Sequence, residues 1–377
     1  MDKDELRAWL RLSLTDGVGN EAARRLLACF GHPQAVFEQT QAALCQVVTL
    51  LQAHALMAPP NDLAVHYVRT LQWLTHQPDS HSHALWTLGD AQYPSELLQL
   101  SDPPLMVYVA GQTQATLGNA IAVVGSRNPT PQGEQTAEQF GEALSAAGLC
   151  VVSGLALGVD GAAHKGALKG FAMRICKAEQ WSTVAVVGTG LDRVYPRQHQ
   201  ILAQDILHHG LLISEYHLGT PPLGQNFPKR NRLIAALGLG TLVVEAALKS
   251  GSLITAKMAL DVGREVLAIP GSIHATQSHG CHALIRQGAK LVENAQDVLE
   301  ELLLAAPIQQ GMFTDSPDTA HPLLEHMGFA PVSLDALLAR SGLETASLQA
   351  QLLSLELDGA LARLPGGLFQ QLAPKVN

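Results

Sequence analysis

Between Ile121 and Val292, short runs rich in β-branched and aliphatic residues recur, each closed by small or polar residues and most followed by a segment with helical spacing. The runs are Ile121 to Val124, Leu149 to Val152, Val184 to Val187, Leu211 to Ser214, Leu242 to Val244, Val266 to Ile269 and Lys290 to Val292. Runs without polar alternation suit strands covered on both faces, and strands alternating with helices build a doubly wound parallel sheet. This rhythm predicts an α/β, Rossmann-like domain. In such a sheet, ligands bind outside the carboxyl ends of the strands.

The first unit, IAVVGSRNPTPQGEQTAEQFGEALSAAGLCVVSG, reads as strand, tight loop, helix and strand. Gly125, Ser126, Arg127, Asn128 and Pro129 break the strand, and Thr130, Pro131 and Glu134 carry helix-start signals. Free N–H groups at such a helix start suit a phosphate, and an arginine beside them strengthens that reading against a purely structural turn. Other strand ends bring Gly154, Gly188, Gly190, Glu215 and Glu245 to the same edge. Arg197 arrives after Tyr195-Pro196, and NFPKRNRLIAALG brings Phe227, Lys229, Arg230, Asn231 and Arg232. Three cations without an acid oppose the macrodipole of the helix they begin, so an anionic partner is predicted. Phe227 either stacks on a base of a single strand or packs in the core. Ser250, Gly251 and Ser252 open a further helix with a serine cap, a second candidate phosphate cradle. Asp160 reads as the cap of the helix that carries His164. Glu215 and Glu245 read either as paired carboxylates or as ion-pair partners that orient the arginines.

Four regions follow from the pattern: a helical domain over 1–80, the Rossmann-like domain over 90–304, a linker over 305–321 and a winged-helix outline over 322–377. Near the N-terminus, Asp16-Gly17-Val18-Gly19-Asn20 between two helices fits a helix-hairpin-helix unit or a plain helical bundle with a glycine turn. Residues 76–90 read as a connecting stretch, and its His81 and His83 lack further metal ligands nearby. The third helix of the C-terminal region, ETASLQAQLLSLELD, holds Glu344, Glu356 and Asp358 and no cation, which disfavours duplex reading through it. A hydrophobic content of 47% against 15% charged residues excludes a disordered chain. Five scattered cysteines give neither a disulfide framework nor a zinc spacing. The start lacks signal-peptide order and no apolar run is long enough for a membrane span, so a soluble cytoplasmic protein is expected, with no membrane partner. A net charge of −9 leaves room for a basic patch on one face.

The motifs GSRNPT, SGLALGVDGAAHKGAL, GTGLDRVYP, SEY, NFPKRNRLIAALG, VVEAALKSGSLITAKMAL, GREVLAIPGSI and GCHALIRQGAKLV, in this order, resemble the DNA-processing protein A family, also called DprA or Smf. The resemblance runs from about residue 93 to 302, with weaker similarity in the flanking regions. It implies an extended Rossmann fold, a homodimer, single-stranded DNA binding, and loading of RecA recombinase during natural transformation. It implies no catalysis and no cofactor; single-stranded DNA-binding protein is a further candidate partner. DNA contact is implied at Arg127, Arg197, Phe227, Arg230 and Arg232. Leu157 stands where relatives often carry a basic residue, and Ala236 and Gly238 depart from the usual IAGLS. A competing enzyme reading, a nucleotide-processing phosphoribohydrolase of the lysine-decarboxylase-like type, shares the GTLVVEA segment, but the PGG turn before it is absent here.

Overall fold

The computed structural model describes residues 1–78, 80–174, 180–302, 321–328, 331–364 and 366–372. Most of the 305–321 linker expectation, and Cys176, lie outside them. The chain begins with helices α1 Lys3–Leu14, α2 Asn20–Phe30, α3 Pro33–Phe37, α4 Gln41–Leu44, α5 Leu50–Met57 and α6 Leu63–Thr75. Their apolar faces close over Leu10, Leu12, Leu26, Leu44 and Leu56. That core continues onto Leu85, Met106 and Tyr108 of the neighbouring sheet, so the helical region rests on the sheet rather than standing apart. The hairpin between α1 and α2 is docked against the same body: Asn20 reaches Asp102 at 3.2 Å, and Arg24 donates to the Ser101 carbonyl at 2.8 Å.

The sheet contains β1 Ser82–Thr87, β2 Met106–Gly111, β3 Ala120–Val124, β4 Cys150–Ser153, β5 Thr183–Val186, β6 Leu211–Ser214, β7 Gly240–Val243, β8 Glu265–Ala268 and β9 Lys290–Leu291. Between them run α7 Pro131–Ala146, α8 Val159–Met173, α9 Gln200–His209, α10 Asn226–Leu237, α11 Ser252–Asp261 and α12 His279–Arg286, with α13 Ala295–Glu301 following β9. Strand order is β1-β2-β6-β5-β4-β3-β7-β8-β9; β6 through β9 are parallel, and β1 and β2 form an antiparallel edge. Ser82–Thr87 therefore is an edge strand where the sequence suggests a connection. Its polar start hides the signal, but Leu85 and Trp86 are buried on opposite faces, as strand alternation requires. His83 is accounted for by stacking on Trp73, with ring centroids 4.1 Å apart.

Strand β3 is buried throughout, which is why AIAVV carries no polar residue. Its alternate residues feed two layers. Ala120, Ala122 and Val124 meet α10, α11 and α12, whereas Ile121 and Val123 meet α7, α8 and α13. The chain leaves β3 towards β4 on one side and returns from β6 to β7 on the other, so the strand order reverses at β3 and β7. A crevice outside the carboxyl ends of these strands is the place such a sheet offers a ligand.

The C-terminal region comprises α14 Pro322–Met327, β10 Val332–Ser333, α15 Leu334–Ser341, α16 Thr345–Leu357 and the hairpin β11 Leu361–Leu364 with β12 Leu368–Gln371. This is the winged-helix order, closed on its own core of Leu337, Leu348, Leu352 and Phe369. Among the described residues, no helix is long and apolar enough to cross a membrane.

Candidate nucleic-acid interface

The loop after β3 is built by a cap. Thr130 accepts the Gly133 N–H at 3.0 Å and thereby starts α7, with Pro131 in the first turn. Thr130 also gives its N–H (2.9 Å) and hydroxyl (2.6 Å) to Glu245, which follows β7. Burial holds the Glu245 carboxyl above the usual carboxylate range, and the two Thr130 bonds act against that. Glu245 thus fixes the loop to the reversal point. Ser126 accepts the Asn128 N–H at 3.1 Å, leaving Arg127 and Asn128 exposed at the tip.

Below the tip lies a cavity of about 430 Å³. Gly125, Ser126 and Arg127 line it from the β3 side, Arg230 and Asn231 from α10, and Lys249, Ser250, Gly251 and Ser252 from the start of α11. These are residues the sequence points to, gathered at the strand-order reversal, and Lys249 joins them. A cation directly before Ser250-Gly251-Ser252 was the available signal for it. Gly251 rather than a serine caps α11, and Ser250 accepts the Ser252 N–H at 3.3 Å.

The start of α10 is pinned by Asn226, whose amide donates to the Gly188 carbonyl at 3.1 Å while its own carbonyl accepts from Tyr216 at 3.0 Å. Phe227 then lies half-buried over Gly188, where a Cβ would come within 3.1 Å of its ring. The Arg127 guanidinium stands 5.5 Å from the Phe227 centroid, and the Tyr195 ring 5.6 Å from it. Lys229 is exposed on the first turn of α10, and Arg197 is exposed on the 3₁₀ turn 197–199.

Several sequence-based expectations are corrected here. Arg230 is only 3% exposed and donates to the carbonyls of Gly154 (2.8 Å) and Val186, tying α10 to β4 and β5. Burial lowers its pKa to about 10, against the opposing charge of Asp160. Asp160 is itself buried, which raises its carboxyl above the usual range despite Arg230; it lies inside the first turn of α8 and accepts the Ala156 N–H at 3.3 Å, while Gly158 is the cap. Arg232 turns away from the cavity and pairs with Glu215 at 2.5 Å. Burial raises the Glu215 carboxyl, and Arg232 counteracts it. Two of the three cations in NFPKRNR are thus matched by internal acids, which is how the helix start tolerates them. Gly154, Gly188 and Gly190 are buried packing positions: a Cβ at Gly154 would meet Arg230 and Asp160 at 2.6 Å, and one at Gly190 would meet Asp192 at 2.5 Å. His164 is buried against Thr183 at 2.7 Å, with its pKa pushed down to about 3 by burial.

Arg127, Arg197, Lys229 and Lys249 remain exposed, and none has a carboxylate within ion-pair distance among the described residues. On a chain of net charge −9, four unmatched cations on the strand-end edge form a local field that attracts an anion.

Comparison with known proteins gives the same region a family. The model of DNA recombination-mediator protein A matches residues 84–303, and that of the DprA winged helix domain matches 314–367. Protein Smf of Escherichia coli (strain K12) is 39% identical over 372 residues, covering 95% of this chain and 94% of that protein. The X-ray structure of DNA processing protein A from Streptococcus pneumoniae superposes with a TM-score of 0.64 at 33% identity, over 80% of this chain and 98% of that one. A structure of DNA processing protein A from Helicobacter pylori, described for its single-stranded DNA binding mode, matches with a TM-score of 0.50 at 29% identity, over 58% of this chain and 95% of that one.

Proposed function

Because the chain belongs to the DNA recombination-mediator protein A family, we propose that it binds single-stranded DNA across the strand-end edge and, as a homodimer, loads RecA recombinase onto that strand during natural transformation. The observation that carries this is the set of exposed, unmatched cations Arg127, Arg197, Lys229 and Lys249 around the cavity and the Phe227 platform. Phosphates bind the cations, and rings beside them accept any base, which suits a partner without fixed sequence. The binding mode described for the Helicobacter pylori protein supports the choice of a single strand. The absence of any cation in α16, with acids at both its caps, directs the winged helix to a protein contact rather than to duplex DNA.

The geometry disfavours a nucleotide-processing enzyme of the phosphoribohydrolase type. Glu215 is committed to Arg232 and Glu245 to Thr130, so neither carboxylate is free to act as a base in the cavity. Two measurements test the proposal together: affinity for single-stranded against duplex DNA, and RecA filament growth on strands coated with single-stranded DNA-binding protein. Preference for the single strand and faster filament growth support it. Equal binding of both DNA forms, or release of base from ribonucleoside monophosphates, overturns it.

A further inference from the structure

We infer that Tyr195, rather than Phe227 alone, is the ring that stacks on a nucleobase, so that it sets the preference for unpaired bases. This rests on the single-stranded DNA reading above. Tyr195 is 45% exposed and its hydroxyl has no partner among the described residues; the half-buried Tyr67 also lacks one. Three other tyrosines contrast with it: Tyr93 donates to the Pro104 carbonyl, Tyr108 bonds Thr70 and His217, and Tyr216 donates to Asn226. Each of those hydroxyls is held inside the protein. Tyr195 instead leans on Phe227 at 5.6 Å with the planes tilted by 35°.

Phe227 is placed as a support. It rests on Gly188, is approached by Arg127, and is flanked by Tyr195. Tyr195 is the more open of the two rings and carries Arg197 two residues later, so a base on the ring has a cation available for a neighbouring phosphate. The order along the edge is then Lys249 and the cavity, Arg127, Phe227, Tyr195 and Arg197. A duplex keeps its bases stacked on one another and cannot offer one to this ring, whereas a single strand can.

The test uses the full chain with two probes of equal length, an oligothymidylate and an abasic deoxyribose-phosphate strand. Wild type should bind the oligothymidylate more tightly. Tyr195→Ala should lose roughly 5- to 150-fold in affinity for it while binding the abasic strand as wild type does, and Tyr195→Phe should retain binding. Arg127→Ala should weaken both probes. The inference is overturned if Tyr195→Ala binds oligothymidylate like wild type, or loses both probes equally, while Arg127→Ala still weakens both. Should Arg127→Ala leave both probes unaffected, the underlying DNA reading fails instead. Unchanged thermal midpoints for the Tyr195 variants, expected of an exposed ring, confirm that the fold is intact; a large drop counts against the inference.

Discussion

Replacing Arg230 by Met separates a structural arginine from a DNA-contacting one. The guanidinium is buried, holds the Gly154 and Val186 carbonyls, and is the opposing charge nearest in effect to the buried Asp160. Removing one partner of a buried charge arrangement costs about 3 to 5 kcal/mol, because the other charge stays uncompensated. For a sheet domain of this size about 1 kcal/mol corresponds to roughly 2 to 4 °C, so the thermal midpoint should fall by roughly 6 to 20 °C. The defect should depend on pH with a definite sign. Asp160 has a folded pKa above its unfolded value, so the folded state holds more protons between the two, and stability falls as pH rises through that interval. Loss of Arg230 raises the folded value further and widens the interval upward. The destabilisation of Arg230→Met should therefore be smallest near about pH 4, where the unfolded carboxyl titrates, and grow as pH rises above it. Melting curves of both proteins across that range, with single-stranded DNA affinity measured well below the midpoint, decide the matter. A variant that keeps the wild-type midpoint yet loses DNA would refute the strut assignment and return Arg230 to the binding surface.

Other outcomes follow from the same geometry. Arg127→Ala should bind single-stranded DNA roughly 10- to 150-fold more weakly, the loss of a charge-assisted hydrogen bond of about 1.5 to 3 kcal/mol, with its midpoint unchanged; Arg127→Lys should recover only part, since an ammonium lacks the planar fork. Fluorescence anisotropy with a labelled oligonucleotide measures both. A fragment of residues 320–377 should show no gel shift with duplex DNA at moderate salt, because α16 carries no cation and is bounded by the acids Glu344 and Asp358. Thr130→Ala should destabilise by about 1 kcal/mol through the lost cap, and by somewhat more because Glu245 then keeps only the backbone N–H of its two Thr130 donors, as denaturant unfolding would report.

The parallel sheet was legible because every central strand is covered on both faces, so its residues are mostly apolar and each is followed by a turn or a helix. Edge strand β1 was not, since SHALWT is polar at one end and its pairing with β2 comes from tertiary placement. The site was legible to the level of the segment. Loop 125–128 and residues 250–252 do meet, because strand ends of a parallel sheet must share one edge. Which arginine faces outward was not legible. Arg230 and Arg232 lie two residues apart on a helix, and their fates depend on Asp160 and Glu215, which come from the first turn of α8 and from the residue after β6. Gly154 and Gly188 likewise read as phosphate-loop glycines, yet their smallness serves the side chains of Arg230 and Phe227 packed against them.

The salt dependence of single-stranded DNA affinity tests the central claim most directly. If Arg127, Arg197, Lys229 and Lys249 each neutralise one phosphate, log affinity should fall with log salt at a slope of about −2.8, and Arg127→Ala or Lys249→Ala should each reduce its magnitude by about 0.7. An affinity indifferent to salt, or a slope unchanged by either substitution, would contradict the assignment of this edge as the DNA-binding surface.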